Sequence, residues 1–422
     1  MAVSFVVLPV SVRYLGNEGY GLMATITSVV GWLQFTNLGI GLGLQNALTE
    51  ETARGDAKAQ RELVSTAVLS LVGIGLVLLA AGLLAFPHIP WAAVFRPTTS
   101  RFTTEIPWTV LVVFFGFVST VVLGFVNPIY AARQELHIGS LQAMVTSVLM
   151  LLGTFMAVHF RWGLLGITLC TIGVTAVMQW TFALWTLYGR GIEELRPRWS
   201  NVTRSAGARV YSTGISFLIL QICNIAFFQI DAFLITRFLT VDQVTPYSVA
   251  QRVFLQMAGL FAIVTGSLWA AYGNAKAHGD FAWIQRTHMK MVRIYFAFFG
   301  GLSFFMIIGG KWAMTLWVGA AAAPSVSLIA AVAFYFCVKE WVALNAMLLN
   351  GLNVIREQLI PMVIAAFASL ALELYLIKRL GTIGLAIGGG LGVLLGGGWY
   401  LIYLTNRTLK RMHVAMSCSG KD

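Results

Sequence analysis

Five ionisable residues, Asp231, Arg252, Lys339, Glu340 and Glu373, stand inside long apolar runs of this chain. On insertion scales a charge at the centre of a membrane helix costs about 2.5 to 3.5 kcal/mol, so each should face the interior of a helix bundle or water. The chemistry open to them is the holding of an anion, the carriage of a cation or proton, or mutual pairing. Asp231 and Arg252 each lie about six residues, roughly 9 Å at 1.5 Å per residue, from the same surface on consecutive predicted helices, so the two are expected to pair. The pair either neutralises itself or works: Arg252 would then fork onto a phosphate, as a guanidinium does well, while Asp231 holds it there or takes part in ion coupling.

Lys339 and Glu340 fall near the middle of one predicted span, where neighbours point about 100° apart, so at least one should line a cavity. Lys339 is the candidate central cation, and Glu340 a candidate proton carrier. Glu373 is placed near an outer end, where it is expected to snorkel, with ion coupling as the alternative. Asn224, Gln221 and Gln229 on one helix and Asn345 on another would bind sugar hydroxyls or hydrogen-bond across helices. Arg133 and Arg356 match each other at the cytoplasmic ends of two helices, either gathering a diphosphate or anchoring the topology.

The elements that must position these groups follow from composition. The chain is 58% hydrophobic and 10% charged with a mean hydropathy of +0.80, far from the roughly 25% charged residues of soluble domains. It reads as an all-α integral membrane protein; strand alternation is absent, which disfavours a β-barrel. Twelve spans are predicted, at residues 1–12, 20–43, 63–86, 107–130, 138–160, 162–188, 209–236, 245–272, 288–310, 324–350, 358–378 and 381–404. The first is too short for a span and is expected to be truncated or only partly inserted. Residues 46–62, with mixed charge, read as an amphipathic helix on the membrane surface. Basic residues concentrate on one set of loops, which places both termini in the cytoplasm of a multi-pass protein of the cell inner (plasma) membrane.

A duplication runs through the chain. Arg13, Leu15, Glu18, Ala53, Gly55 and Asp56 reappear as Arg237, Leu239, Asp242, Ala277, Gly279 and Asp280, and Arg161, Gly163 and Gly166 as Arg379, Gly381 and Gly384. Two parallel six-helix lobes follow: an N-terminal lobe at 1–188, a cytoplasmic linker at 189–208, a C-terminal lobe at 209–404 and a basic cytoplasmic tail at 405–422. A wet, cationic cavity between lobes is the expected seat of a polar substrate.

Other signals fail. Cys170, Cys223, Cys337 and Cys418 have no metal-ligand spacing, and no metal site or cofactor is expected. Gly310-Lys311 is followed by Trp312, so there is no Walker A loop, and no catalytic triad or HExxH motif occurs; an enzyme is disfavoured. The net charge of +12 matches an anionic inner leaflet rather than nucleic acid. Gly384, Gly388, Gly392 and Gly396, four residues apart, give one helix face a close-packing stripe.

The stretch RYLGNEGYGLMATITSVVGWLQFTNLGIGLGLQNALTEETARGD at 13–56 and FQIDAFLITRFLTVDQVTPYSVAQRV at 228–253 resemble the polysaccharide-exporting flippases, relatives of the multidrug and toxin extruders. The Gly163 and Gly381 helix openings complete the pattern. The resemblance implies an extruder-like fold and a flippase or exporter that moves a polyprenyl-diphosphate-linked oligosaccharide to the outer leaflet by alternating access. Its implied partners are that lipid-linked oligosaccharide and the membrane lipids, with a coupling H+ or Na+ and polysaccharide assembly proteins as further candidates. A drug or cation antiporter of the same fold is the first alternative; lipid-linked cell-wall precursors are another cargo, and a membrane polysaccharide polymerase or ligase is a weaker reading.

Overall fold

A computed structural model describes residues 2–31, 38–192, 195–211, 230–266, 268–352, 354 and 356–419, some of them, including Arg356, by backbone alone. The described residues form helices and no strand. Contacts divide the chain into two compact units, 1–225 and 226–422.

The first unit holds α1 (Ala2–Gly31), α2 (Leu38–Arg54), α3 (Ala57–Ala85), α4 (Trp91–Phe95), α5 (Ser100–Val122) and α6 (Val126–Ala132). It continues with α7 (Leu136–His159), α8 (Gly163–Thr168), a wider π-helical turn at Leu169–Gly173 and α9 (Val174–Leu184). The second unit holds α10 (Asp231–Phe238), α11 (Val244–Gly266), α12 (Leu268–Ala277), α13 (Phe281–Tyr295), α14 (Gly301–Val318), α15 (Val326–Gly351), α16 (Arg356–Val393) and α17 (Trp399–Ser419).

The repeated signature is turn chemistry. Gly55 and Gly279 both adopt φ of 72°, a left-handed conformation that glycine takes without steric cost and that ends the preceding helix. The aspartate that follows caps the next helix: Asp56 accepts from the N–H of Lys58 and Ala59 at 3.0 Å each, and Asp280 from that of Trp283 at 2.9 Å. Gly163 and Gly381 likewise share positive φ, 72° and 63°.

Gly381 breaks α16, and its two arms run antiparallel with their backbones almost touching. A Cβ added to Gly392 would lie 2.1 Å from Ser369 Cα, and one on Gly396 would lie 2.6 Å from Ala365 Cα. The glycine stripe read from the sequence therefore packs a hairpin. Seven helical stretches among the described residues are long and apolar enough to cross a membrane, the last of them, Glu357–Met412, containing this hairpin. The expected second and seventh spans cross residues 32–37 and 212–229, which lie outside the described residues.

Two expectations are corrected. Residues 46–62 do not form one surface helix: α2 runs to Arg54, Gly55 turns the chain, and α3 starts at Ala57. The cap chemistry of Gly55 and Asp56 outweighs the amphipathic pattern. The expected ninth span, 288–310, lies in a longer helical stretch from Phe281 to Val318; the expected tail begins within α17, which runs to Ser419. Charged residues extend these helices beyond the apolar run because hydrogen bonding along the backbone does not stop where hydropathy does.

In the first unit, the stretch after α9 is strapped along α3. The N–H of Arg198 donates to Ser65 Oγ at 3.1 Å, the N–H of Thr203 to Thr66 Oγ1 at 3.3 Å, and the Tyr211 hydroxyl to Ser70 Oγ at 2.6 Å. Arg209 adds ion pairs to Glu50 at 3.1 Å and Glu51 at 2.7 Å.

Candidate functional site

The second unit gathers charges in its interior. Asp231, the first residue of α10, is 5% exposed. Its Oδ2 accepts from the Tyr247 hydroxyl at 2.6 Å and from Gln251 Nε2 at 3.0 Å. These two donors sit one turn apart on α11, so a single face of that helix closes on the carboxylate. The expected Asp231–Arg252 pair is absent for the same reason: Arg252 follows Gln251 and lies about 100° further round the helix. Its half-buried side chain keeps an Nε that meets no acceptor among the described residues.

On α15, Lys339 pairs with its neighbour Glu340 at 3.6 Å, their side chains 11% and 14% exposed. The Lys339 ammonium lies 4.5 Å from the centre of the Phe336 ring and 5.9 Å from that of Tyr335. Aromatic faces attract a desolvated cation through their quadrupoles. Phe336 in turn stacks on Phe254 of α11 at 5.9 Å, which fixes α15 against α11. Lys339 is close enough to Asp231 for their charges to interact.

Glu373 overturns its expected snorkelling role. It is 1% exposed, its Oε2 meets no partner among the described residues, and it lies close enough to Asp231 for the two carboxylates to repel. The glycine hairpin explains its depth. A Cβ on Gly389 would lie 2.8 Å from Glu373 Oε1 and 3.1 Å from the Tyr335 ring, so the missing side chain makes the space the carboxylate occupies. Tyr335 stands within charge range of Asp231, Glu340 and Glu373 together.

The structure thus brings together Asp231, Lys339, Glu340 and Glu373 and adds Tyr247, Gln251 and Tyr335, which the sequence reading missed. The signal available was the i, i+4 spacing of Tyr247 and Gln251 on the helix after Asp231. Asn345 stays apart: it is 2% exposed and its Nδ2 donates to the Trp341 carbonyl of its own helix at 2.8 Å. Asn224, Gln221 and Gln229 lie outside the described residues, as does the side chain of Arg356. Among the described residues no His, Cys, Asp or Glu cluster suited to a metal ion occurs.

Arg133 lies in the first unit, at the end of α6. Arg190 forks onto Glu135 through two bonds of 2.5 and 2.7 Å, and Arg133 Nε stands 3.8 Å from the same carboxylate. The bonds from Arg190, working against partial burial, hold the Glu135 carboxyl below its ordinary range. Two guanidiniums therefore share one carboxylate, leaving a positive excess.

These geometries can be set beside known proteins. The family model for polysaccharide biosynthesis proteins matches residues 1–269. The chain belongs to that family. Over 418 residues it is 19% identical to a proposed O-antigen export protein of Yersinia pseudotuberculosis, covering 97% of this chain and 93% of the relative. It is 21% identical over 394 residues to a proposed O-antigen transporter of Salmonella typhi, covering 90% and 87%. Among solved structures, an inward-facing multidrug resistance MATE family transporter of the MOP superfamily superposes with a TM-score of 0.82 at 13% identity, over 97% of this chain and 95% of that one. A MOP superfamily transporter from Pyrococcus furiosus gives 0.66 at 13% identity, over 98% and 96%. At such identity the likeness shows the fold. This member of the polysaccharide biosynthesis family is an all-helical membrane protein of extruder-like fold, as its composition and motifs led one to expect.

Proposed function

We propose that this chain is a flippase that moves a polyprenyl-diphosphate-linked oligosaccharide from the cytoplasmic to the outer leaflet of the inner (plasma) membrane. Both termini are then cytoplasmic, and transport proceeds by alternating access. The observation that carries the reading is the charge cluster buried in the second unit of a chain whose relatives are named for O-antigen export. Sugars and phosphates cross hydrocarbon only when desolvation is offset by fixed polar partners, and buried ionisable groups in a membrane bundle mark such paths.

Within this reading, three carboxylates, Asp231, Glu340 and Glu373, stand against the one ammonium of Lys339. Such an excess favours uptake of a cation, H+ or Na+, between Asp231 and Glu373. Uptake relieves their repulsion, and release leaves Lys339, on its flexible stem, as a counter-charge to Asp231. The cluster is in this way a two-state element driven by an ion gradient. Arg133 with Arg190 at one end of the first unit offers guanidiniums to a phosphate there, and Arg252 of the second unit, with its unsatisfied Nε, offers one in its own unit. Arg356 is proposed as a further phosphate-binding guanidinium of the second unit.

The test is flipping of a labelled lipid-linked oligosaccharide in vesicles, read by its accessibility to an external glycosidase. The parent should expose the label, and Arg252→Ala or Lys339→Ala should slow it by about tenfold or more, the ~1.4 kcal/mol scale of one lost charge-assisted contact. Rates unchanged in both variants would remove the site assignment. The solved neighbours named for multidrug resistance keep a drug antiporter as second reading. A drug-resistance phenotype without any flipping would favour it.

A further inference from the structure

The cytoplasmic end of the second unit carries a cationic surface that the transport reading does not use. Tyr403, Asn406, Arg407, Lys410 and Arg411 line an open cleft of about 450 Å³ on α17. Their spacing of three and four residues places them on one helix face, and all five are exposed. On the packed helix α13, Arg286, Lys290 and Arg293 form a second exposed stripe. Gln285 Nε2 ties the two helices by donating to the Leu409 carbonyl at 2.9 Å.

None of these six cations forms an ion pair among the described residues. The nearby Asp280 carboxylate is engaged in capping α13. In the first unit, by contrast, Arg54, Arg133, Arg190 and Arg209 are paired with Glu50, Glu51 and Glu135.

The depth of the face also fits one occupant. Tyr403 precedes Arg407, the first charge after the apolar run, as interfacial tyrosines do. Arg407, Lys410 and Arg411 follow it by roughly 6 to 12 Å along the axis at 1.5 Å per residue, within reach of the phosphate layer of a bilayer. We propose that this α13–α17 face is a binding surface for anionic phospholipid head groups, with the Arg407–Lys410–Arg411 cleft seating a lipid phosphate.

The experiment places the purified full chain in phosphatidylcholine vesicles with trace spin-labelled phosphatidylglycerol or spin-labelled phosphatidylcholine, and measures the motionally restricted fraction of each. The parent should prefer the glycerol label by about threefold, on the scale of a few cations near a membrane phosphate, and lose that preference in 0.5 M salt. The triple variant Arg407→Gln, Lys410→Gln, Arg411→Gln should bring the ratio close to one. A matched variant at the other end of the second unit, Lys311→Gln, Lys378→Gln, Arg379→Gln, should keep the parent's ratio. The proposal is overturned if the first variant retains the preference, if both variants lose it equally, or if the parent shows none. It is also overturned if unlabelled polyprenyl diphosphate displaces the glycerol label where equal phosphatidylglycerol does not, which would make the cleft a site for the transported lipid. Flipping is not part of this readout, so a failed transport reading leaves it standing.

Discussion

The two units share their turns and differ in where they keep charge. Gly55 with Asp56 and Gly279 with Asp280 build the same helix-ending and capping geometry, and Gly163 and Gly381 the same left-handed start. Yet the ion pairs found in the first unit lie at helix ends: Glu50 and Glu51 with Arg54 and Arg209, and Glu135 with Arg190. The second buries Asp231, Lys339, Glu340 and Glu373 among its helices. The two units thus share turn geometry, while the second keeps charge in its interior, where charge is costly unless it works.

The sharpest way to break this contrast is to unbalance the buried cluster. Lys339→Ala removes the ammonium from three carboxylates and should cost ~3–5 kcal/mol, as for one partner of a buried pair, seen as a lower Tm in detergent. Adding Glu340→Gln should recover part of the loss, because one uncompensated carboxylate is then gone.

The paired end of the first unit should respond less. Arg190→Ala removes both hydrogen bonds to Glu135, leaving it with the weaker charge interactions of Arg133 and His137, and should lower stability by ~1.5–3 kcal/mol, the range for hydrogen bonds to a charged group. The sign with pH is fixed by the lowered Glu135 value: its stabilisation is full above the ordinary 4.5 and fades as pH falls through the lower folded value. The Tm gap between the parent and Glu135→Gln should therefore be open at neutral pH and close in acid.

Gly392→Ala probes the hairpin that seats Glu373. Its Cβ would meet Ser369 Cα at 2.1 Å, so the arms must separate, at ~1–3 kcal/mol for overpacking. The smallest effects should be the most alike: Gly55→Ala and Gly279→Ala each force a side chain into the left-handed region at ~1 kcal/mol or slightly more. Matched Tm losses there would show that the turns, unlike the charges, are equivalent in both units.

Much of the fold was legible because it rests on local rules. Hydropathy showed the helices, and the spacing of Gly55, Asp56, Gly279 and Asp280 showed the repeat. The glycine stripe from Gly384 to Gly396 announced the close approach of two helices. Its consequence was not legible: Glu373 stands a short way before the Gly381 break, and distance along one helix says nothing of how closely a neighbour wraps it. Pairing Asp231 with Arg252 used depth and ignored rotation, and a single step round α11 gave the carboxylate to Tyr247 and Gln251 instead. The 46–62 segment misled in the opposite direction, since its charge pattern hid a two-residue turn. Tertiary placement and helix rotation, rather than element type, are what the sequence left unresolved.

The central claim is that the Asp231–Glu373 pair of the second unit couples an ion gradient to movement of the lipid-linked sugar. The direct measurement is flipping of labelled lipid-linked oligosaccharide in vesicles carrying, in turn, a proton and a sodium gradient, for the parent and for Asp231→Asn with Glu373→Gln. One of the two gradients should accelerate flipping by the parent and have no effect on the double variant. Equal acceleration of both proteins by the same gradient would contradict it.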